Sequence, residues 1–158
     1  MSDNNVVYLT QERLIELENE LKLMKTNGRA QMAQKISEAR SHGDLSENAE
    51  YDAAKEAQGL FEMRLSKLEG LLSRARVIDF SQFPQGQVHI LSTVKIRNLK
   101  TNKEMEYTLV SPEEADMNSG KISVTSPIGQ GLMGKKLGDK LSIKVPAGTI
   151  EVEILSLN

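Results

Sequence analysis

Residues 11–40 of the chain read QERLIELENELKLMKTNGRAQMAQKISEAR, and this stretch decides the fold of the first half. Apolar or small residues recur in it at steps of three and four: Leu14, Leu17, Leu21, Met24, Gly28, Met32, Ile36 and Ala39. Such spacing places the residues on one face of a helix. Thr10 is a suitable N-cap, and Glu12 favours the first turn. The stretch therefore predicts a helix of about 30 residues, roughly 45 Å long.

A second stripe occupies residues 54–75, which read AKEAQGLFEMRLSKLEGLLSRA. Its members are Ala54, Ala57, Phe61, Leu65, Leu68, Leu72 and Ala75. Both stripes contain consecutive steps of four, which locally unwind a coiled coil without ending it. Two such helices joined by a short turn fold back as antiparallel neighbours. The first half is therefore predicted to be an antiparallel coiled-coil hairpin whose stripes form the helix–helix core, with no cofactor.

The second half has a different composition. Residues 81–158 hold all four prolines and seven of the eleven glycines, which interrupt regular structure and mark turns. Apolar residues alternate there with period two, as in strands with one buried face. The alternating sets are Val88, Ile90, Val94 and Ile96; Met105, Tyr107 and Leu109; Ile122 and Val124; Leu141, Ile143 and Val145; and Ile150, Val152 and Ile154.

The predicted fold class is therefore α+β, with a helical hairpin over residues 1–80 and a small β-sheet domain over residues 81–158. About five short strands and one brief helix near residues 126–134 are expected in the second domain. Gly129, Gly131 and Gly134 spell G-x-G-x-x-G, but no βαβ unit surrounds them. We interpret them as turn and close-packing glycines.

Composition excludes several classes of function. The 20 basic and 22 acidic residues nearly balance, so the chain as a whole has no excess positive charge with which to bind a nucleic-acid duplex. The absence of cysteine excludes disulfides and Cys-ligated metal sites. Its two histidines, His42 and His89, are too far apart in sequence for an HExxH site. With no long apolar run and no secretion signal at residues 1–5, a cytoplasmic protein without membrane contact is expected.

The turn between the helices, residues 40–48, carries the sharpest candidates for chemistry. Asp44 and Glu47 are two carboxylates three positions apart, and carboxylate oxygens are the ligands that Mg²⁺ prefers. Mg²⁺ takes six oxygens, so two carboxylates need further ligands from a partner or a phosphate. The same spacing suits a capping box, with Asp44 as N-cap of the second helix and Glu47 at its third position. Both interpretations remain open on spacing alone.

Five other side chains, four near this turn and one in the second half, are further candidates. Arg40 and Lys55 are suitable for a nucleic-acid phosphate, or they simply belong to a solvated helix face. His42 is of the residue type that shuttles protons near neutral pH, although a surface turn is its simpler place. Tyr51 can stack on a base, but packing across the hairpin end is favoured. His89 lies in a strand pattern and is expected to be structural.

Two separated motifs now resemble one family. Residues 39–51, ARSHGDLSENAEY, are similar to the coiled-coil tip of the bacterial transcript-cleavage (Gre) factors. Residues 126–128, SPI, together with 131–136, GLMGKK, and Gly138-Asp139 resemble the C-terminal signature of the same family. The resemblance covers essentially the whole chain, with the motifs in the right order.

The resemblance implies an FKBP-like fold for the second domain, which docks at the rim of the secondary channel of RNA polymerase. The coiled coil then enters the channel, and the polymerase cleaves backtracked RNA and regains a usable 3′ end. Asp44 and Glu47 match the acidic positions that share a Mg²⁺ of the polymerase active site; the factor binds no metal alone and is not itself an enzyme. Arg40 and Lys55 match positions that contact the nascent RNA, and Ser126 and Pro127 fall in the polymerase-binding segment.

Several alternatives remain beside this expectation. Some relatives bind the channel and modulate or inhibit polymerase without stimulating cleavage, although their tips depart from the two-acid pattern kept here. An FKBP-like fold also suggests a prolyl isomerase, for which the second half offers few aromatics. A coiled-coil adaptor, in which Asp44 and Glu47 only cap, and an autonomous metal nuclease are the remaining options. A monomer is expected.

Overall fold

The computed structural model describes residues 6–43 and 48–158. Its described residues divide into two compact units. One comprises residues 11–75, and the other comprises residues 6–10 together with residues 76–158. The mixed class that the sequence predicts, a helical hairpin plus a small sheet, is confirmed at this level. The proposed domain limits, 1–80 and 81–158, stay a prediction.

The first unit is the helical hairpin. Helix α1 (Gln11–Leu23) begins directly after Thr10 and continues through a π-helical segment (Met24–Gly28) into α2 (Arg29–Arg40). Helix α3 (Ala49–Ser73) returns. Contacts extend from Ala39 beside Asn48 at the turn to Lys25 beside Glu69 further back, so the two arms are antiparallel. Every member of the two predicted stripes is buried or half-buried, which confirms the helix–helix core.

The π-helical segment lies where the first stripe advances in consecutive steps of four. Gly28, at its end, faces the ring of Phe61 on α3 so closely that a Cβ there would lie 2.5 Å from the ring's Cζ atom. Only a residue without a side chain allows this approach of ring and backbone. The irregular stripe in the sequence therefore corresponds to a real change of helix geometry.

Ion pairs join the two arms on their outer surface. The Arg29 guanidinium donates to both carboxylate oxygens of Glu62, at 3.0 and 3.1 Å. This hydrogen-bonded pairing raises the pKa of Arg29 above its ordinary value. The Lys25 ammonium lies 3.7 Å from Glu69. All four side chains are exposed, so these pairs contribute little stability beside the buried stripes.

The second unit is built on a curled five-stranded sheet. Its strands are β3 (Thr93–Asn98), β4 (Glu104–Val110), β5 (Lys121–Ser123), β6 (Lys140–Val145) and β7 (Gly148–Leu157). Their order across the sheet is β5-β4-β3-β7-β6. Only β4 and β5 pair in parallel, and the other neighbours are antiparallel. One face carries a single buried cluster: Val88, Val94, Ile96, Leu109, Ile122, Leu132, Ile143, Val152 and Ile154. Helix α4 (Pro127–Leu132) contributes Leu132 to this cluster.

A two-stranded sheet, β1 (Val7–Leu9) paired with β2 (Ala75–Val77), was not predicted. Tyr8 in β1 donates its backbone N–H to the hydroxyl of Ser111, 3.0 Å away. Ser111 is almost fully buried, as are Val7 and Leu9. Three-residue strands are too short to show a period, so sequence pattern alone does not reveal them.

One predicted strand is shorter than its pattern indicates. Val88 and Ile90 share the parity of Val94 and Ile96, yet β3 begins only at Thr93. Leu91 has φ +71°, a left-handed conformation that bends the chain between the two pairs. The ring of His89 stacks on Phe83 with centroids 4.5 Å apart, and its Nδ1 donates to the carbonyl of Ile90. His89 is therefore structural, as predicted.

The glycines of the G-x-G-x-x-G letters are packing and turn residues. A Cβ on Gly129 would lie 2.1 Å from the carbonyl oxygen of Ser123, and one on Gly131 would lie 2.8 Å from Ile143. Gly134 has φ +80° in the turn after α4. No described helix is long and apolar enough to cross a membrane.

Candidate functional site

The turn end of the hairpin is built from the last turn of α2 and the first turn of α3. Helix α2 ends at Arg40, and Gly43 follows with φ +128°, a conformation that favours glycine. Asp44 and Glu47, the two predicted metal ligands, lie outside the described residues. The residues that flank them on both sides are described, and they define how the two helix ends are connected.

Asn48 is the N-cap of α3. Its side-chain oxygen accepts the backbone N–H of Tyr51 at 3.0 Å, and its backbone is extended, as the cap position requires. The capping box predicted for this helix, with Asp44 as N-cap and Glu47 at the third position, is therefore wrong. Asn caps as well as Asp, and the helix begins four residues later than the box required.

Arg40 and Lys55, the predicted RNA contacts, have different partners. The guanidinium carbon of Arg40 lies 5.8 Å from the ring centroid of Tyr51, within the range of a cation–π contact. The Lys55 ammonium donates to Gln58 on the same helix, at 3.3 Å. Both cations are exposed, so both remain accessible to a phosphate. Contact with RNA stays a prediction for each.

Tyr51 and His42 have the simpler of their two predicted places. Tyr51 packs against the buried cluster of Ile36, Ala39 and Ala54, as expected for packing across the hairpin end. His42 is exposed in the turn, and its Nδ1 pairs with a carboxylate oxygen of Glu50. The sequence pattern did not indicate that Glu50 is the partner of His42 or that Asn48 is the cap. The signal for the cap was present, since Asn is preferred at N-caps.

The predicted polymerase-binding residues, Ser126 and Pro127, open helix α4. The Ser126 hydroxyl donates to the carbonyl of Ser123 at 2.6 Å and accepts the N–H of Gly129 at 3.1 Å. It is thus the N-cap, and Pro127 occupies the first helical position, where its missing N–H costs nothing. Contact with polymerase stays a prediction for both residues.

An apolar groove of about 420 Å³ lies beside the start of α4. Its walls come from α4, β5, the turn after β6 and the short 3₁₀ helix at Met117–Ser119. Met117 is 72% exposed there. Asp116 is the acidic residue of the lining, and Lys121 is the basic one. The groove can receive an apolar side chain from a partner.

Comparisons with known proteins match both parts of the chain. The family model described as "Transcription elongation factor, N-terminal" matches residues 7–77, and "Transcription elongation factor, GreA/GreB, C-term" matches residues 83–158. A GreA of Amoebophilus asiaticus is 54% identical over 97% of this chain and 98% of that protein. A GreA of Flavobacterium johnsoniae is 53% identical over 98% of each.

A solved structure, the GreA factor homolog 1 protein of Thermus thermophilus, is 26% identical over 97% of this chain and 99% of that one, with TM-score 0.45. The two matched models, one for each part of the chain, define a transcription elongation factor. With curated relatives above 50% identity over nearly its whole length, the chain belongs to the GreA/GreB family and is of the GreA type. The family resemblance of its two motifs is thereby confirmed.

Proposed function

We propose that this elongation factor inserts its helical hairpin into the secondary channel of RNA polymerase and stimulates the polymerase's own cleavage of backtracked nascent RNA. Family membership supports the choice of partner. The observation that carries the proposal is the hairpin. Its two arms present polar outer surfaces and converge on a turn whose sequence holds Asp44 and Glu47.

The carboxylates of the turn are suited to a metal ion that the polymerase also binds, rather than to one that the factor binds alone. No group of three His, Asp or Glu side chains within residues 6–43 and 48–158 could hold a metal ion. Asp44 and Glu47 add two oxygen ligands, too few for Mg²⁺ unless the polymerase supplies the rest. When bound, Mg²⁺ polarises the scissile phosphate. The two carboxylates would orient the attacking water, while the factor binds no metal alone and the polymerase remains the enzyme.

The basic side chains near the turn would contact the RNA. Arg40 and Lys55 are exposed, and each can donate to a phosphate oxygen near the nascent 3′ end. The contact of Arg40 with the Tyr51 ring leaves its outward N–H groups available. Lys55 acts as a point charge, without the bidentate geometry of an arginine.

The sheet unit would dock on the channel rim through the apolar groove beside Ser126 and Pro127. A groove of this polarity, with exposed Met117 at its edge, is suited to an apolar side chain of a protein partner. We further propose that this unit has an FKBP-like fold without isomerase activity, and that the factor acts as a cytoplasmic monomer where RNA polymerase works.

The test uses a stalled, backtracked RNA polymerase complex with labelled RNA and Mg²⁺. The wild-type factor is expected to accelerate release of short 3′ fragments, whereas Asp44→Asn and Glu47→Gln remove a charge and are expected to slow it at least about tenfold. Because Asn48 caps α3, Asp44→Asn leaves the cap intact, and loss of activity reports on the carboxylate itself. Equal stimulation by both variants and the wild type would contradict the role of the tip acids.

The second candidate is a channel-binding member of the family that inhibits polymerase instead of stimulating cleavage. The same reaction distinguishes the two, if a labelled known channel ligand is included as competitor. Displacement of that ligand without faster cleavage identifies the inhibitor. Absence of displacement contradicts both candidates and leaves a coiled-coil adaptor for another partner.

A further inference from the structure

The side chain of Asn48 connects the two arms of the hairpin at the turn. Its Oδ1 atom caps α3 by accepting the N–H of Tyr51, and its Nδ2 atom donates to the carbonyl oxygen of Ala39 in the last turn of α2. One planar amide thus satisfies an orphan donor of α3 and also reaches a carbonyl in the last turn of α2. That carbonyl accepts the N–H of His42 as well, at 3.2 Å.

Two further contacts bridge the same helix ends, but water has access to both. His42 and Glu50 are 57% and 67% exposed, so water competes for their hydrogen bond. The guanidinium of Arg40, also exposed, approaches the Tyr51 ring at the long end of the cation–π range. By contrast, Asn48 is half-buried and its acceptor Ala39 is 4% exposed. The bond of Asn48 to Ala39 is the best-shielded of these three connections.

We propose that Asn48 is a positioning residue for transcript cleavage. It fixes the spacing between the end of α2 and the start of α3, and hence the two points between which the chain carries Asp44 and Glu47. This inference rests on the proposed function above, since it concerns how well those carboxylates are placed. Asn48 itself touches neither RNA nor metal in this scheme. Misplacement of a catalytic group by about 1 Å can cost on the order of 100-fold in rate.

The test separates the cap from the cross-turn bond. Asp and Ser cap a helix about as well as Asn, but neither has an amide N–H to donate to Ala39. Asn48→Asp and Asn48→Ser are therefore both expected to keep α3 and lose the connection. Ala53→Asp is the matched control, because it adds the same charge one turn into α3 at an exposed position and leaves the amide in place.

The readout is the rate of stimulated cleavage as a function of factor concentration, with helix content measured alongside. Both Asn48 variants are expected to lower the maximal rate about tenfold or more, while the half-saturating concentration changes by less than about twofold. Ala53→Asp is expected to match the wild type in both quantities. A role limited to stability would instead lower helix content or raise the half-saturating concentration.

Three outcomes would overturn the proposal. Wild-type maximal rates in both Asn48 variants show that the cross-turn bond does not matter. A loss in Asn48→Asp and Ala53→Asp but not in Asn48→Ser assigns the effect to added charge. Loss of helix in the Asn48 variants assigns it to folding. If the wild-type factor stimulates no cleavage at all, the proposed function fails first, and that result is distinct from these three.

Discussion

The two units of the chain are stabilised in different ways. The sheet unit gathers nine buried apolar side chains into one cluster that α4 covers. The hairpin buries its side chains in a row, one helical turn after another, and its described buried members are Leu17, Ile36, Ala39, Ala54, Phe61 and Leu65. Most of the residues between them on the same helices are exposed. A row tolerates local change better than a cluster does, because its neighbours can relax outward.

The largest expected effect comes from truncating a core side chain in each unit. Ile96 is fully buried within the sheet cluster, and Leu65 is 2% exposed in the hairpin row. We expect Ile96→Ala to cost about 4 kcal/mol of local stability and Leu65→Ala about 2.5 kcal/mol, since the row can close around the smaller residue. Amide hydrogen exchange measured separately on peptides from each unit gives both values. A larger loss for Leu65→Ala than for Ile96→Ala would contradict the contrast between row and cluster.

A glycine comparison gives the next largest effect. The Cβ of Gly129→Ala would meet the Ser123 carbonyl at 2.1 Å, where backbone must move, and we expect a loss of about 3 kcal/mol. The matched control is Gly59→Ala in α3, where no atom lies within 4 Å of the new Cβ. There the better helix propensity of alanine is expected to stabilise the hairpin by about 0.5 kcal/mol. Urea unfolding measures the free energy of unfolding of the two variants. A loss of stability in both variants would contradict the prediction.

A moderate effect is expected at the contact of Gly28 with Phe61. Gly28→Ala brings its Cβ within 2.5 Å of the ring, but a ring is easier to displace than backbone. We expect a net loss of about 1 kcal/mol, because better helix propensity offsets part of the overpacking. In the background Phe61→Leu the same change should stabilise, and a double-mutant cycle measures the coupling. Additive effects would show that the ring does not set the requirement for glycine.

The smallest expected effect is a pH dependence near the start of the sheet unit. The carboxylate of Asp79 accepts the hydroxyl and the N–H of Ser81, and these two bonds lower its pKa. A lowered pKa stabilises the folded form above the unfolded pKa, and that increment is lost as pH falls through the folded pKa. Ser81→Ala removes the hydrogen bond from the Ser81 hydroxyl. The variant is expected to raise the pKa of Asp79, which a carboxyl NMR titration measures. An unchanged titration in the variant would assign the shift to another cause.

Sequence patterns predicted the long-period features of both units. Periodicity and turn chemistry over several residues predict the two helical stripes, the strands β4 (Glu104–Val110) and β6 (Lys140–Val145), and the brief helix after Ser126. The failures are local. The bend at Leu91 requires a left-handed leucine, and the pairing of β1 with β2 joins segments far apart in sequence. Neither leaves a repeating signal in the sequence.

The sequence predicted where the candidate site lies and several of its residues, but not the contacts that those residues make. Spacing of charged residues pointed to the hairpin turn, and the motif pointed to the family. Neither the spacing nor the motif showed that Asn48 rather than Asp44 caps α3, because Asn and Asp have comparable preference for the N-cap position. The partners of His42 and Arg40 depend on how two helix ends meet, which a linear pattern does not report.

The π-helical segment at Met24–Gly28 affects which direction the residues after it face around the axis of the first arm. In an α-helix each residue turns the chain by about 100°, so a step of four overshoots a full turn by about 40°. The three successive steps from Met24 to Ile36 would carry the stripe roughly 120° around the arm if the helix were regular. The wider π turns take up part of that rotation. Leu17 before the segment and Ile36 after it are therefore both buried, whereas deletion of one residue within the regular helix α2 would turn Arg40 by about 100°.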